Sequence, residues 1–84
     1  MNTIQIQNDT LSILLTSRVH QGLDIKSRSI KIAKCCKKIR DKTKDNVLYD
    51  ACRKIITATS GGKYDKVIQA VTMAELKYLE EYRR

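Results

Sequence analysis

The chain has 84 residues, a formal net charge of +8 at pH 7, three cysteines and no Pro, Phe or Trp. This length predicts one small domain, residues 1 to 84, with a modest core that Ile, Leu, Val and Ala must supply. Three cysteines disfavour a disulfide framework, and residues 1 to 9 lack a secretory pattern, so we expect a cytoplasmic protein.

The first element is ambiguous. Residues Thr3 to Gln7 alternate polar and apolar side chains, which suits a short edge strand or an extended, loose arm within residues 1 to 8. Asn8, Asp9 and Thr10 then offer N-caps to a first helix. The apolar residues of that helix recur at helical spacing before Gly22 supplies a stop; they are Leu11, Leu14, Leu15 and Val19.

The second helix carries most of the charge. Between Lys26 and Lys44 lie nine of the seventeen basic residues and one acid, Asp41. Steps of four and three predict one buried stripe, made of Ile25, Ser29, Ile32, Cys36, Ile39 and Thr43. We expect the helix to start between Asp24 and Ser29 and to end near Thr43. Cys35 should be partly accessible, on the margin of a wide cationic exterior.

Asp45 is the predicted cap of a third helix. Its apolar residues form a broad face, so we expect this helix to be central in the fold; they are Val47, Leu48, Ala51, Cys52, Ile55 and Ile56. Gly61 and Gly62 then end the helix, because glycine readily adopts the left-handed conformation.

A fourth helix should turn Tyr64, Val67, Ile68 and Val71 inward. Thr72 and Glu75 fit a capping box, and Val71 and Leu76 fit a hydrophobic staple, which favours a break at Thr72 over one long helix. After the break we expect Met73, Leu76 and Leu79 inside. The predicted fold is therefore all-α, a small orthogonal or antiparallel bundle of four to five short helices.

No group of residues indicates catalysis. His20 is the only histidine, and a surface residue near a helix end explains it without a reaction. The segment Ser60 to Lys63 lacks the spacing of a phosphate-binding loop. Adjacent cysteines with one distant histidine do not match a zinc site. We therefore expect a non-enzymatic protein with no catalytic residue, cofactor or metal.

The basic helix is the leading functional feature. Its positive field would attract an acidic protein surface, nucleic acid or an acidic membrane surface. The stripe has no Trp or Phe to anchor a membrane, and no aromatic residue lies between Val19 and Leu48 to stack on bases. An acidic protein partner is favoured, a surface that only aids solubility is the alternative, and self-association stays open. The expected partner-binding residues are Lys31, Lys34, Lys37, Lys38, Arg40 and Lys42.

Nucleic-acid binding is the second hypothesis. The helices on either side of Gly61 partly match a helix-turn-helix, the motif of many transcriptional regulators. The contact residues would be Lys63, Tyr64, Lys66 and Gln69. The densest positive charge lies on the second helix and not on the presumed recognition helix, which argues against this hypothesis. The second helix could still contact phosphates.

In size and composition the chain resembles small cytosolic accessory proteins of T-even-like phages: short, basic, free of Pro, rich in Ile, Lys and Thr, with unpaired cysteines. That group includes host-takeover factors and lysis-inhibition proteins that bind the cytoplasmic part of a holin. The resemblance implies a regulatory protein that acts by binding another protein in the host cytoplasm. It transfers no site residue to this chain.

Overall fold

The structure is a computed structural model that describes the backbone of residues 3–82 and the side chains of residues 5–81. The described residues form four helices, α1 (Thr3–Val19), α2 (Ile25–Lys42), α3 (Asn46–Ser60) and α4 (Tyr64–Tyr82). Each helix contributes to one apolar core. The all-α prediction is confirmed with four helices, and the described residues contain no strand.

Helix α1 begins at Thr3, within the segment for which the sequence allows a strand or a loose arm, and residues 1 and 2 of that segment lie outside the described part. The Gln5 amide donates to the Asp9 carboxylate one turn later, at 3.1 Å, which supports the early start. The buried face of α1 consists of Ile13, Leu14 and Ser17. Because this face continues the spacing of the half-buried Ile6, one helix explains both segments.

Helix α2 has the predicted boundaries. The Ser27 N–H donates to the Asp24 carboxylate at 3.3 Å, and the Thr43 N–H donates to the Ile39 carbonyl at 2.8 Å. Hydrogen bonds from the Ser27 side chain and N–H hold the pKa of Asp24 below its ordinary value. Most of the predicted stripe is buried, namely Ser29, Ile32, Cys36 and Ile39, together with Ala33, whereas Ile25 is 48% exposed.

The central helix is α2, and our assignment of that position to α3 was wrong. Helix α2 packs against each of the other three helices, most extensively against α3. Small residues on its buried face, Ser29, Ala33 and Cys36, allow its neighbours to approach closely. The buried face of α3 is narrower than predicted, because Val47 is 69% exposed.

Helix α4 runs unbroken through Thr72, so the predicted break is wrong. The Thr72 hydroxyl donates to the Ile68 carbonyl one turn earlier, at 3.0 Å, as in a helix interior. Val67 and Val71 are buried, and Ala74 and Tyr78 continue the same face against the core. This packing spans position 72 and outweighs the local capping signal.

Several residues expected in the core are exposed. In α4, Met73, Leu76 and Leu79 face outward, while Ala74 and Tyr78 pack against the core instead. In α1, the exposed residues are Leu11, Leu15 and Val19. An ion pair between Arg18 and Glu75, at 3.6 Å, links the two helices.

The role of Thr72 can be tested by Thr72→Ala. In an unbroken helix the exposed Thr72 is replaced by a better helix former, so the free energy of unfolding should stay equal or rise by up to about 0.5 kcal/mol. The matched control is Asp45→Ala, which removes the acceptor of the Leu48 N–H at 2.8 Å and should cost about 1 kcal/mol. Urea denaturation measures the free energy of unfolding of both variants. A decrease of about 1 kcal/mol in Thr72→Ala would indicate that Thr72 caps a separate helix, as the sequence predicts.

Candidate binding surface

Four lysines form a line along the outer side of α2, which we term the cationic row: Lys31, Lys34, Lys38 and Lys42. Their steps of three and four residues place them together on the helix side opposite Ile32 and Cys36. All four are exposed. At 1.5 Å per residue the row is about 17 Å long, enough to meet several anionic groups at once.

The cationic row takes no part in the ion pairs between described side chains. Ion pairs between described side chains join Arg18 to Glu75, Arg40 to Asp41, Lys54 to Asp50 and Lys77 to Glu81. None of them includes a lysine of the row. Lys31, Lys34 and Lys38 therefore present an open positive field to solvent, whereas Lys42 lines the same depression as Asp9 and Asp45.

Repulsion between neighbouring lysines lowers the stability of helix α2. Lys34 has Lys31 and Lys37 three residues away and Lys38 four residues away. Like charges at these spacings destabilise a helix by a few tenths of a kcal/mol per pair at low salt. Only the basic residues of the last turn, Arg40 and Lys42, are favoured by the negative C-terminal end of the helix dipole.

Lys34 and Lys37 also border a shallow depression of about 250 Å³, which we term the basic groove. Helix α2 forms one wall, the last turns of α3 form the other, and the first residue of α4 closes it. The complete lining consists of Ile30, Ala33, Lys34, Lys37, Ile56, Thr59, Ser60 and Tyr64. The sequence did not reveal this groove, because its residues come from three helices.

Arg40, also predicted to bind the partner, lies apart from the cationic row. Its side chain is half-buried, and its Nε lies 3.3 Å from the Asp41 carboxylate. It sits beside Cys36 on the inner side of α2, since residues four apart share a helix face. Another arginine, Arg28, has a structural role, because its guanidinium donates to the Ser17 carbonyl and hydroxyl at 3.0 and 2.8 Å and so joins α2 to α1.

The residues of the nucleic-acid hypothesis do not form one surface. Lys63, Lys66 and Gln69 are exposed, but Tyr64 is half-buried and lines the basic groove. Tyr64 shares its side of α4 with Val67 and Val71, whereas Lys66 and Gln69 are on the outer side. A helix presenting all four side chains to a DNA groove is therefore not found.

A second depression, of about 570 Å³, lies where the start of α1 meets the α2–α3 turn. Its lining mixes two carboxylates with two lysines; the charged residues are Asp9, Lys42, Lys44 and Asp45. Because opposite charges meet there, this depression has no clear preference for an anion or a cation. It is a weaker candidate for binding an acidic partner than the basic groove.

The buried cysteines and the histidine contact neighbouring groups of the same domain. Cys36 and Cys52 are fully buried, and their mutual hydrogen bond, followed by burial, raises the pKa of Cys36. The His20 Nδ1 lies 2.8 Å from the Thr16 carbonyl. Within the described residues, no three His, Cys, Asp or Glu side chains gather as a metal site would need, and no helix has the length and apolar character to cross a bilayer.

Comparisons with protein-family models, with characterised proteins and with solved structures found no match. The function of this chain is therefore inferred from its own geometry and charge.

The cost of the cationic row can be measured with Lys34→Gln. Removing the charge relieves repulsion from three neighbouring lysines, so the free energy of unfolding should rise by about 0.5 kcal/mol at low salt and less at high salt. The matched control is Lys54→Gln, because Lys54 is paired with Asp50 at 3.1 Å. That variant should be neutral or slightly less stable. Equal effects of both changes in urea denaturation would contradict an uncompensated row.

The burial of the thiols predicts their reactivity. Cys36 and Cys52 are inaccessible in the folded domain and Cys35 is half-buried, so a disulfide reagent such as Ellman's should modify Cys35 first. The other two thiols should react only on unfolding. Cys35→Ser should remove the early reaction, and simultaneous modification of all three thiols in the native protein would contradict this assignment.

Proposed function

We propose that this protein is a non-enzymatic regulatory binding protein whose cationic row on α2 docks on an acidic surface of a partner protein. The observation that carries the proposal is that the row is exposed and takes part in no ion pair with a described side chain. Regulation would follow from occupation of the partner's surface. The resemblance to phage accessory proteins adds lysis inhibition or host takeover as the regulatory setting.

The rigidity of α2 supports docking on a folded protein. The helix is capped at both ends and packed against three other helices, so its lysines project from a fixed base. Charge on a fixed surface steers encounter and selects partners by complementarity. It supplies little affinity by itself, because an exposed ion pair is worth only about 0 to 1 kcal/mol. The basic groove beside Lys34 adds an apolar surface whose burial would supply the rest of the binding free energy.

Nucleic acid is the competing partner. The row could contact phosphates, but no aromatic side chain between Val19 and Leu48 is available for stacking, and Tyr64 lies away from Lys66 and Gln69. If four lysines met duplex DNA, the logarithm of the binding constant would fall with the logarithm of salt at a slope of about −3.6.

Two variants with the same net charge test the proposal. One changes the cationic row to glutamine at Lys31, Lys34, Lys38 and Lys42, and the other changes Lys54, Lys63, Lys66 and Lys77. The probes are a labelled, glutamate-rich helical peptide and a labelled duplex DNA, each measured by fluorescence anisotropy over a range of salt. Circular dichroism checks that helical content is kept.

We expect the row variant to lose at least about tenfold in affinity for the acidic peptide, since about 1.4 kcal/mol corresponds to a factor of ten. The second variant should stay close to the unmodified protein. Binding of DNA with a steep salt dependence, in preference to the peptide, would instead support the nucleic-acid hypothesis. If neither probe binds, the proposal is wrong, and the cationic row only keeps the protein soluble.

A further inference from the structure

We infer that the basic groove binds an acidic amphipathic helix of the partner protein, with the apolar side chains of that helix seated among Ile30, Ile56 and Tyr64. This inference rests on the proposed function, because it assigns the chemical character of the same acidic partner. It adds a defined apolar contact to the electrostatic docking surface.

The floor of the groove is apolar and accessible. Ile30 is 37% exposed although it lies on the most basic helix of the chain, and Ile56 and Tyr64 are half-buried. Ala33 also lines the groove and is buried. Removing such an aliphatic and aromatic surface from water is favourable, so an apolar side chain of the partner would be stabilised by covering it.

The shape of the groove is set before any ligand arrives. The turn after α3 is tied back to that helix, because the Lys63 N–H donates to the Ala58 carbonyl at 2.8 Å and the Gly62 N–H donates to the Thr59 carbonyl at 3.1 Å. Gly62 has a positive φ of 74°, which glycine adopts without strain. This turn holds Tyr64 at the end of the groove, and such preorganisation lowers the entropic cost of binding.

The size of the groove decides between a small molecule and a peptide. Pockets that enclose drug-sized ligands usually measure roughly 300–1,000 Å³, and this groove is smaller and shallow. Its dimensions suit a few side chains that project from a larger body. A strand would need a sheet edge, which the described residues lack, and a Pro-rich segment would need several aromatic walls, whereas Tyr64 is the one aromatic residue in the lining.

The charge of the rim selects the sequence of the partner helix. Lys34 and Lys37 border the groove, and no carboxylate is among its lining residues. A helix that places apolar residues at positions i, i+3 or i+4, and i+7 into the groove would carry Asp or Glu along its flanks to meet these lysines. Lys34 belongs to both the groove and the cationic row, so one helix could engage both surfaces.

The test uses labelled helical peptides of about five turns, or roughly 18 residues. The first has leucines at i, i+4 and i+7 on an otherwise glutamate-rich helix, and the second has the same glutamates with glutamine in place of leucine. Both are measured against the full-length protein by fluorescence anisotropy. We expect the leucine peptide to bind at least about tenfold tighter, with NMR amide shifts concentrated at Ile30, Ile56 and Tyr64.

Two matched variants locate the apolar contact. Ile30→Gln changes an exposed residue of the groove and should remove the preference for the leucine peptide while binding of the glutamine peptide is kept. Leu15→Gln makes the same kind of change at an exposed residue on the outer side of α1 and should leave the preference intact. Loss of the preference in Leu15→Gln, with no effect of Ile30→Gln, would overturn the groove assignment.

The two proposals fail in different ways. If both peptides bind equally well, and binding depends on the cationic row, the groove inference is wrong and electrostatic docking stands. If neither peptide binds at low salt, both proposals are wrong.

Discussion

The high cost of burying an unpaired ammonium group is the constraint on which the rest of this structure depends. Helix α2 has lysines along one side and Ser29, Ile32 and Cys36, all without solvent exposure, along the other. Only one rotation of this helix keeps the charges in water and the apolar residues covered. The other three helices consequently pack around a single side of α2, which leaves the cationic side open.

This arrangement links the core of a small domain to its candidate function. One side of the central helix carries lysines, so only its other side can be buried, and the buried residues form a narrow seam. Small side chains in this seam, including Cys36 and Cys52, allow close packing. Several apolar residues of α1 and α4, such as Val19 and Met73, remain outside this seam and are exposed. The same division creates the basic groove, where the apolar seam meets the lysines at Ile30.

Sequence patterns predicted α2 and the start of α3 well. Asp24 and Asp45 act as caps through hydrogen bonds to residues three positions away, which a sequence displays directly. Predictions failed where a local pattern competed with packing. Thr72 fits a capping box, but burial of Val67 and Val71 keeps α4 in one piece. Leu76 fits an apolar stripe, but the half-buried Ala74 and Tyr78 pack against the core instead.

The amino-acid sequence by itself determined the helical class, the caps of α2 and α3 and the concentration of charge on one helix, because these depend on contacts within a turn or two of the chain. Tertiary structure alone decided that α2 is the central helix. It also brought Ile30, Ile56 and Tyr64 to one groove. Residues from separate helices meet only when the core closes, so periodicity along any one helix could not show their proximity.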